Sequence, residues 1–352
     1  MRYGVVTSVH AFANDPARGI FILMILGAAI GSALALFAWR APQIEEGASF
    51  DTASRETMLL ANNVLLVAAV SVVFIGTIYP IALTAFGVRL SVGAPYFEKL
   101  FGPVFIALLI LVPLGPRLGW RHADLREALR VLAPAFGLAV VAAVVVLAVT
   151  SPRSLAGAGA FALAGWLIGA SAIDLLRRRR SGLVTAGALA AALAHAGLGV
   201  TLMGIAGTTL WRSQVLAVMG PGDTIKVGGA TLRFDGVERV EGPNYLADRA
   251  TLDVMERGAA IASLHPEKRL YPTEQQETVN TSIRTNLLRD LYVALGDDRG
   301  GGRWTIRAYE NPLAPLIWLG AGVMALGGLS SLAGRLRRVR GSAPSVSTIP
   351  AE

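Results

Sequence analysis

Long uncharged stretches closed by charged or turn-forming residues set the organisation of this chain. The stretch 182–210 carries no charge, is preceded by Arg177-Arg178-Arg179-Arg180 and is followed closely by Arg212. At about 1.5 Å of rise per residue it can cross the roughly 30 Å hydrocarbon layer of a bilayer as one helix. Comparable runs occupy about 19–39, 58–82, 131–149, 155–176 and 313–332, and a shorter one at 103–118 carries Pro113 and Pro116. The pattern predicts about seven transmembrane helices. Asn14-Asp15-Pro16 reads as the first helix start, with Asp15 as cap and Pro16 at the first helical position. The Gly27-x-x-x-Gly31 spacing suits close helix packing. Asn62 and Asn63 are placed to hydrogen-bond between helices, and Pro80 is expected to kink or end the second span. The segment 87–102 is expected to be a loop.

Between 211 and 312 the period changes. Short alternating runs at 223–227, 231–240, 245–255, 290–295 and 304–309 are separated by Gly228-Gly229, Gly258 and Gly300-Gly301-Gly302. Such runs between glycine turns are hairpin signals. They predict one small all-β, barrel-like domain (a barrel or a sandwich) inserted before the last helix. The expected division is an N-terminal segment over 1–18, a helical domain over 19–210, the β domain over 211–312, a last helix over 313–334 and a disordered tail over 335–352. The first 18 residues have no apolar core of the kind a cleavable signal needs.

Composition agrees with a polytopic α-helical membrane protein: of 352 residues 53% are hydrophobic and 16% charged. The net charge of +8 is concentrated in Arg117/Arg121/Arg126/Arg130, in Arg177–Arg180 and in Arg335/Arg337/Arg338/Arg340. Two expected spans separate each cluster from the next, so all three fall on one side. The positive-inside rule makes that side the cytoplasm, and it argues against nucleic-acid binding. If the 103–118 run crosses as well, the β domain and His10 share the opposite, periplasmic face of a bacterial inner membrane. Cysteine is absent, which excludes thiol chemistry, disulfides and iron–sulfur ligation by this chain.

His195 lies near the middle of the 182–210 run. An ionisable side chain at that depth is costly to place and is by default a functional candidate. A neutral imidazole offers a lone pair to a metal. Three and four residues to either side lie Ala191, Ala192, Leu198 and Gly199, with Ala188 a turn further back. This small-residue face could admit another helix or a flat ligand, and a histidine merely hydrogen-bonded to a neighbouring helix is the plainer alternative. His10 lies just outside the first span, while His122 in an Arg-rich loop and His265 before Pro266 read as surface residues. Gly157-x-Gly159-x-x-Ala162 follows no strand and is not a dinucleotide fingerprint. Asp174 is the one acid within an expected span, which leaves ion-coupled transport little to stand on. A membrane haem held by two imidazoles would need its second one from another polypeptide or from a missing part of this one, because no other span holds a histidine.

Thr7-Ser8-Val9-His10-Ala11-Phe12-Ala13, Ser54-Arg55-Glu56, Ser91-Val92-Gly93-Ala94-Pro95-Tyr96-Phe97 and Ala194-His195-Ala196-Gly197 occur in that order. Asp290-Leu291-Tyr292-Val293-Ala294-Leu295-Gly296 and Trp304-Thr305-Ile306-Arg307 follow. Together they resemble the C-terminal half of the CcmF haem-lyase family of cytochrome c-type biogenesis. The resemblance implies that His10 is a periplasmic ligand to haem as substrate. It implies that His195 is an axial ligand of a structural, intramembrane haem b. The implied partners are a periplasmic haem chaperone, apocytochrome c with its Cys-x-x-Cys-His segment, and the subunits that handle its thiols. The family's Trp-rich segment is absent, and Trp39, Trp120, Trp166, Trp211, Trp304 and Trp318 are scattered. The family's other periplasmic and intramembrane histidines have no counterparts either. The expectation is therefore a split or truncated haem lyase, incomplete alone, which needs the N-terminal half carrying the Trp-rich segment. No catalytic acid–base residue is assigned. The alternative is a non-catalytic scaffold or permease subunit that docks a periplasmic partner.

Overall fold

The structure, a computed structural model, describes residues 16–43, 49–85, 90–151, 153–256, 258–273 and 276–341. Among the described residues seven helices are long and apolar enough to cross a membrane: α1 (Pro16–Arg40), α2 (Arg55–Ala85), α3 (Ala94–Leu111), α4 (Leu125–Val149), α5 (Leu155–Arg180), α6 (Ala186–Trp211) and α7 (Ala314–Gly341). This is a multi-pass membrane protein. Pro16 opens α1 as the sequence suggests, since a first-turn residue needs no N–H partner; the expected cap Asp15 lies outside the described residues. Pro80 sits inside α2 and does not end it.

The third span departs from expectation. α3 begins at Ala94, inside the segment read as a loop, and ends before Pro113. Gly93 takes an extended N-cap conformation, and Pro95 occupies the first turn, where its missing N–H costs nothing. Residues beyond Leu111 turn and form a short 3-10 segment, Gly115–Arg117. The last helix also runs on: Arg335, Arg337, Arg338 and Arg340 belong to α7, so the start of the expected tail is helical.

The chain forms two compact units, one through Arg130 and one from Val131. In the first, the segments before α2 and after α3 are tied together. Asp51 N–H donates to Arg121 O and Arg55 N–H to Gly119 O, both at 2.9 Å. The Glu56 carboxylate accepts the Arg121 N–H at 3.0 Å, and His122 Nδ1 meets Asp51 Oδ2 at 2.5 Å. These bonds put both segments at one end of the α2–α3 pair, as two intervening crossings require. Along that pair Gly76 lies against Tyr96 and Phe97, and an added Cβ would come within 2.6 Å of the Tyr96 ring.

The second unit joins helices to the β domain. Ser154 Oγ accepts from Gly157 N–H at the start of α5, and Thr185 Oγ1 from Ala188 N–H at the start of α6. Each caps an otherwise unpaired amide. The domain between α6 and α7 comprises β1 (Ser213–Met219), β2 (Thr224–Val227), β3 (Ala230–Glu241), β4 (Leu246–Glu256), β5 (Ala259–Leu264), β6 (Glu267–Tyr271), β7 (Gln276–Asn280), β8 (Ser282–Thr285), β9 (Arg289–Asp298) and β10 (Trp304–Pro312). One antiparallel sheet has the order β1-β10-β9-β8; the other has β2-β3-β4-β6-β7, with β5 on β4. Both sheets contribute to one core, including Phe234, Leu252, Val254, Val293, Leu295 and Ile306, each almost wholly buried. Of the two architectures left open by the sequence, this is the two-sheet one.

Candidate functional site

α6 lies between α5 and α7, and its glycines fix how closely. A Cβ added at Gly199 would meet Ile168 Cγ1 of α5 at 2.8 Å and Ala164 O at 3.0 Å. At Gly197 it would meet Gly320 O of α7 at 2.6 Å, and at Gly204 it would meet Ile317 N at 2.7 Å. Gly327 returns the fit, with a Cβ 2.8 Å from Ala190 O, and a Cβ at Gly320 would collide with Thr201 Oγ1. Backbone meets backbone along the whole α6–α7 seam, the close approach that holds helices together in lipid.

His195 stands beside this packing. At about 100° per residue it is roughly 40° from Gly199, on the edge nearest α5 and away from the Gly197 side that faces α7. The ring is half-buried, Leu198 is half-buried and Ala191, one turn back, is exposed. Ala192, read as part of the small-residue face around His195, is buried within the chain. One flank of the imidazole is therefore packed by this chain, while the flank beside Ala191 is open. Asp174 of α5 lies within electrostatic range of the ring, and its carboxylate takes a hydrogen bond from Arg178 Nε at 2.9 Å.

The other candidate residues do not converge here. His10 lies outside the described residues. His122 is 77% exposed and bonded to Asp51, and His265 is exposed beside Thr251 in the β domain. Among the described residues no three His, Asp or Glu side chains come together to hold a metal ion. A bare ion has no cage here. The described donor at membrane depth is one imidazole with an open flank, able to give a metal-holding group one bond and no more. The sequence marks His195 well. It does not show that Asp174 comes within electrostatic range of the ring, because that follows from the α5–α6 register, in which Gly157 lies against Leu210 and Gly199 against Ala164.

Residues 210–312 match the family model described as the CcmF C-terminal beta-sandwich. Nearly the whole chain is similar to cytochrome c-type biogenesis proteins. With ccl1 of Rhodobacter capsulatus it shares 40% identity over 344 residues, 96% of this chain and 53% of the relative. For CcmF of Pseudomonas aeruginosa the figures are 39% identity, 97% of this chain and 53% of the relative. The chain matches the C-terminal half of the CcmF proteins. CcmF of Escherichia coli is 36% identical over 94% of this chain and 52% of its own length. The CcmF-family fold is met again in the solved structure of the cytochrome c heme lyase CcmF. It superposes with a TM-score of 0.71 over 89% of this chain and 50% of that one, at 24% identity. The chain spans about half the length of the curated CcmF relatives it matches, and the match corresponds to the family's C-terminal half.

Proposed function

We propose that this chain serves cytochrome c-type biogenesis as the C-terminal part of a haem lyase. It would receive haem from a periplasmic haem chaperone and help attach it through thioether bonds to the Cys-x-x-Cys-His segment of apocytochrome c. The observation that carries the reading is His195. It is the one histidine of the described membrane helices, half-buried and open on the Ala191 flank, in a chain similar to cytochrome c-type biogenesis proteins over nearly its full length.

In this reading His195 would hold the iron of haem b, and a second polypeptide approaching the open flank would supply the other protein ligand. When bound, haem b supplies the one-electron transfer that keeps the delivered iron reduced. The packed flank against α5 fixes the direction of the imidazole, and the Gly197–Gly320 seam keeps α6 from rotating under it. The Asp174 carboxylate provides a negative charge on the side that the α5 packing closes. His10 is assigned to the substrate haem on the family resemblance. With the Arg clusters on the cytoplasmic side of a bacterial inner membrane, the β domain and His10 share the periplasmic side.

The test is to co-express the chain with the other half of the family's length and to replace His195 by Ala. The purified complex should show a reduced low-spin haem band with His195 and none with Ala, at equal membrane insertion. Loss of cytochrome c maturation on His10→Ala with that band intact would separate the two histidines. A low-spin band that survives His195→Ala would take His195 out of the haem site, and no band in either form would leave the scaffold reading in its place.

A further inference from the structure

α6 and α7 are interrupted by the β domain at one level, and contacts define that level. Leu313, immediately before α7, packs on Gly207 of α6, where an added Cβ would lie 2.8 Å from Leu313 Cβ. Trp211 closes α6 about 6 Å along the helix from Gly207, and Trp318 lies about as far along α7 from Ala314. Trp318 is 77% exposed, whereas the Trp211 ring packs 5.5 Å from Phe161. Tryptophans gather at the water–membrane boundary of spanning helices. Leu313 lies between the two, so it belongs to that boundary layer.

Leu313 holds something else there. Its N–H donates to Leu288 O at 2.6 Å. Leu288 is in the turn between β8 and β9, and that turn is tightly bonded. Asn286 Oδ1 accepts from the N–H groups of Leu288 and Arg289, both at 2.9 Å, and Asn286 N–H donates to Arg289 O at 3.0 Å. Turn tips ordinarily carry Gly, Pro, Asn, Asp or Ser. Here the tip is Leu287-Leu288, 86% and 68% exposed, among the largest exposures of any leucine in the chain. Two adjacent leucines held outward by a rigid turn, at the depth of the tryptophan layer, match the surface of a bilayer and not bulk water.

We propose that the Leu287-Leu288 turn inserts into the lipid interface beside the start of α7 and anchors the β domain to the membrane surface. The partner is the headgroup–acyl boundary of ordinary phospholipid, recognised by apolar area at fixed depth. The hydrogen bond to Leu313 supplies the depth and the Asn286 turn supplies the direction.

The absence of cysteine makes the test direct. In the full chain, Leu287→Cys carries a spin label at that position alone, and its 86% exposure means that the substitution removes no packing. Reconstituted in vesicles of phosphatidylethanolamine and phosphatidylglycerol, the label's collision rates with oxygen and with a polar nickel chelate are compared. Asp298→Cys, at the other end of the 10-residue strand β9, serves as the reference, about 30 Å away at 3.3 Å per residue. The expected result is that oxygen outcompetes the nickel chelate at 287, with the reverse order at 298. Leu288→Cys should repeat the lipid-type result. A water-type order at 287 would overturn the proposal, and so would low access to both reagents, which would mean that protein covers the turn.

Discussion

α1 and α6 are apolar helices of 25 and 26 residues, and they make opposite use of glycine. In α6 four of the five glycines are occupied: Gly197, Gly199, Gly204 and Gly207 each lie where a single added carbon would strike α5, α7 or the residue leading into α7, and only Gly187 in the first turn is open. In α1, Gly27 and Gly31 meet nothing within 4 Å, and every side chain from Met24 to Arg40 is exposed. Lipid tails are as apolar as leucine, so hydrophobicity alone does not bring helices together in a bilayer, and close backbone approach does. The α5–α6–α7 stem therefore carries its own cohesion. In α1 the same small-residue spacing is packed against none of the described residues.

The largest effect that tests this contrast is on the seam itself. Gly320→Leu or Gly197→Leu drives a side chain into backbone, which cannot move without separating α6 from α7. The expected loss is about 3 kcal/mol, at the upper end of overpacking costs. It should be read as lowered thermal stability of the detergent-solubilised chain and a weakened β-domain attachment. Gly27→Leu should leave the same melt within about 0.5 kcal/mol, as for an open surface site. Equal losses from the two substitutions would dissolve the comparison.

A smaller loss is expected where the stem enters the β domain. Glu310 is 8% exposed; its carboxylate takes hydrogen bonds from Arg289 Nη1 at 2.9 Å and from Gly229 N–H at 3.0 Å. Gly228, at a φ of +54°, brings its backbone so close to that carboxylate that a Cβ would lie 2.6 Å from it. Glu310→Ala removes one partner of a mostly buried ion pair, for which about 2 kcal/mol is expected after allowing for the partial exposure of Arg289. Urea unfolding followed by tryptophan fluorescence would measure it, since Trp304 lies against the same core.

The smallest effect is a pH dependence confined to the β domain. Burial pushes the Glu267 carboxyl up, but hydrogen bonds from Arg249 Nε and Arg269 Nε, both at 2.7 Å, outweigh it and hold the group below the ordinary glutamate range. The folded state thus binds this proton less readily than the unfolded state. The contribution is complete above the ordinary value of about 4.3 and is lost as pH falls through the lower folded value. Melts of the full chain between neutral pH and pH of about 3 should show that acid-side loss, and Glu267→Gln should flatten it. An unchanged slope would remove Glu267 from the account.

How much of this was legible in the sequence follows from which forces are local. Span number and the position of the β domain were legible, because uncharged run length and the change of period are properties of consecutive residues. The α3 boundary was not. Pro95 fell in the segment read as a loop and Pro103 at the expected start of the span, yet the first stands in a first turn and the second is carried inside the helix. His195 was legible as a lone imidazole in an apolar run. Its surroundings were legible only in part: Ala188, Ala191 and Ala192 read as one small face, but Ala192 is buried inside the chain and Ala191 is open. Which small residue is used depends on helix register, and that is set by distant glycines such as Gly199 and Gly320.

The central claim is that His195 supplies one haem ligand and that the open flank beside Ala191 receives the other from a second polypeptide. Reduced-minus-oxidised spectra of the purified chain, expressed alone and together with the other half of the family's length, test it most directly. The account predicts an inserted chain with little low-spin haem when alone. In the co-expressed complex it predicts a stoichiometric low-spin band that His195→Ala abolishes. A stoichiometric low-spin haem in the chain expressed alone would show that these 352 residues hold a complete ligand set, and the two-polypeptide site would be wrong.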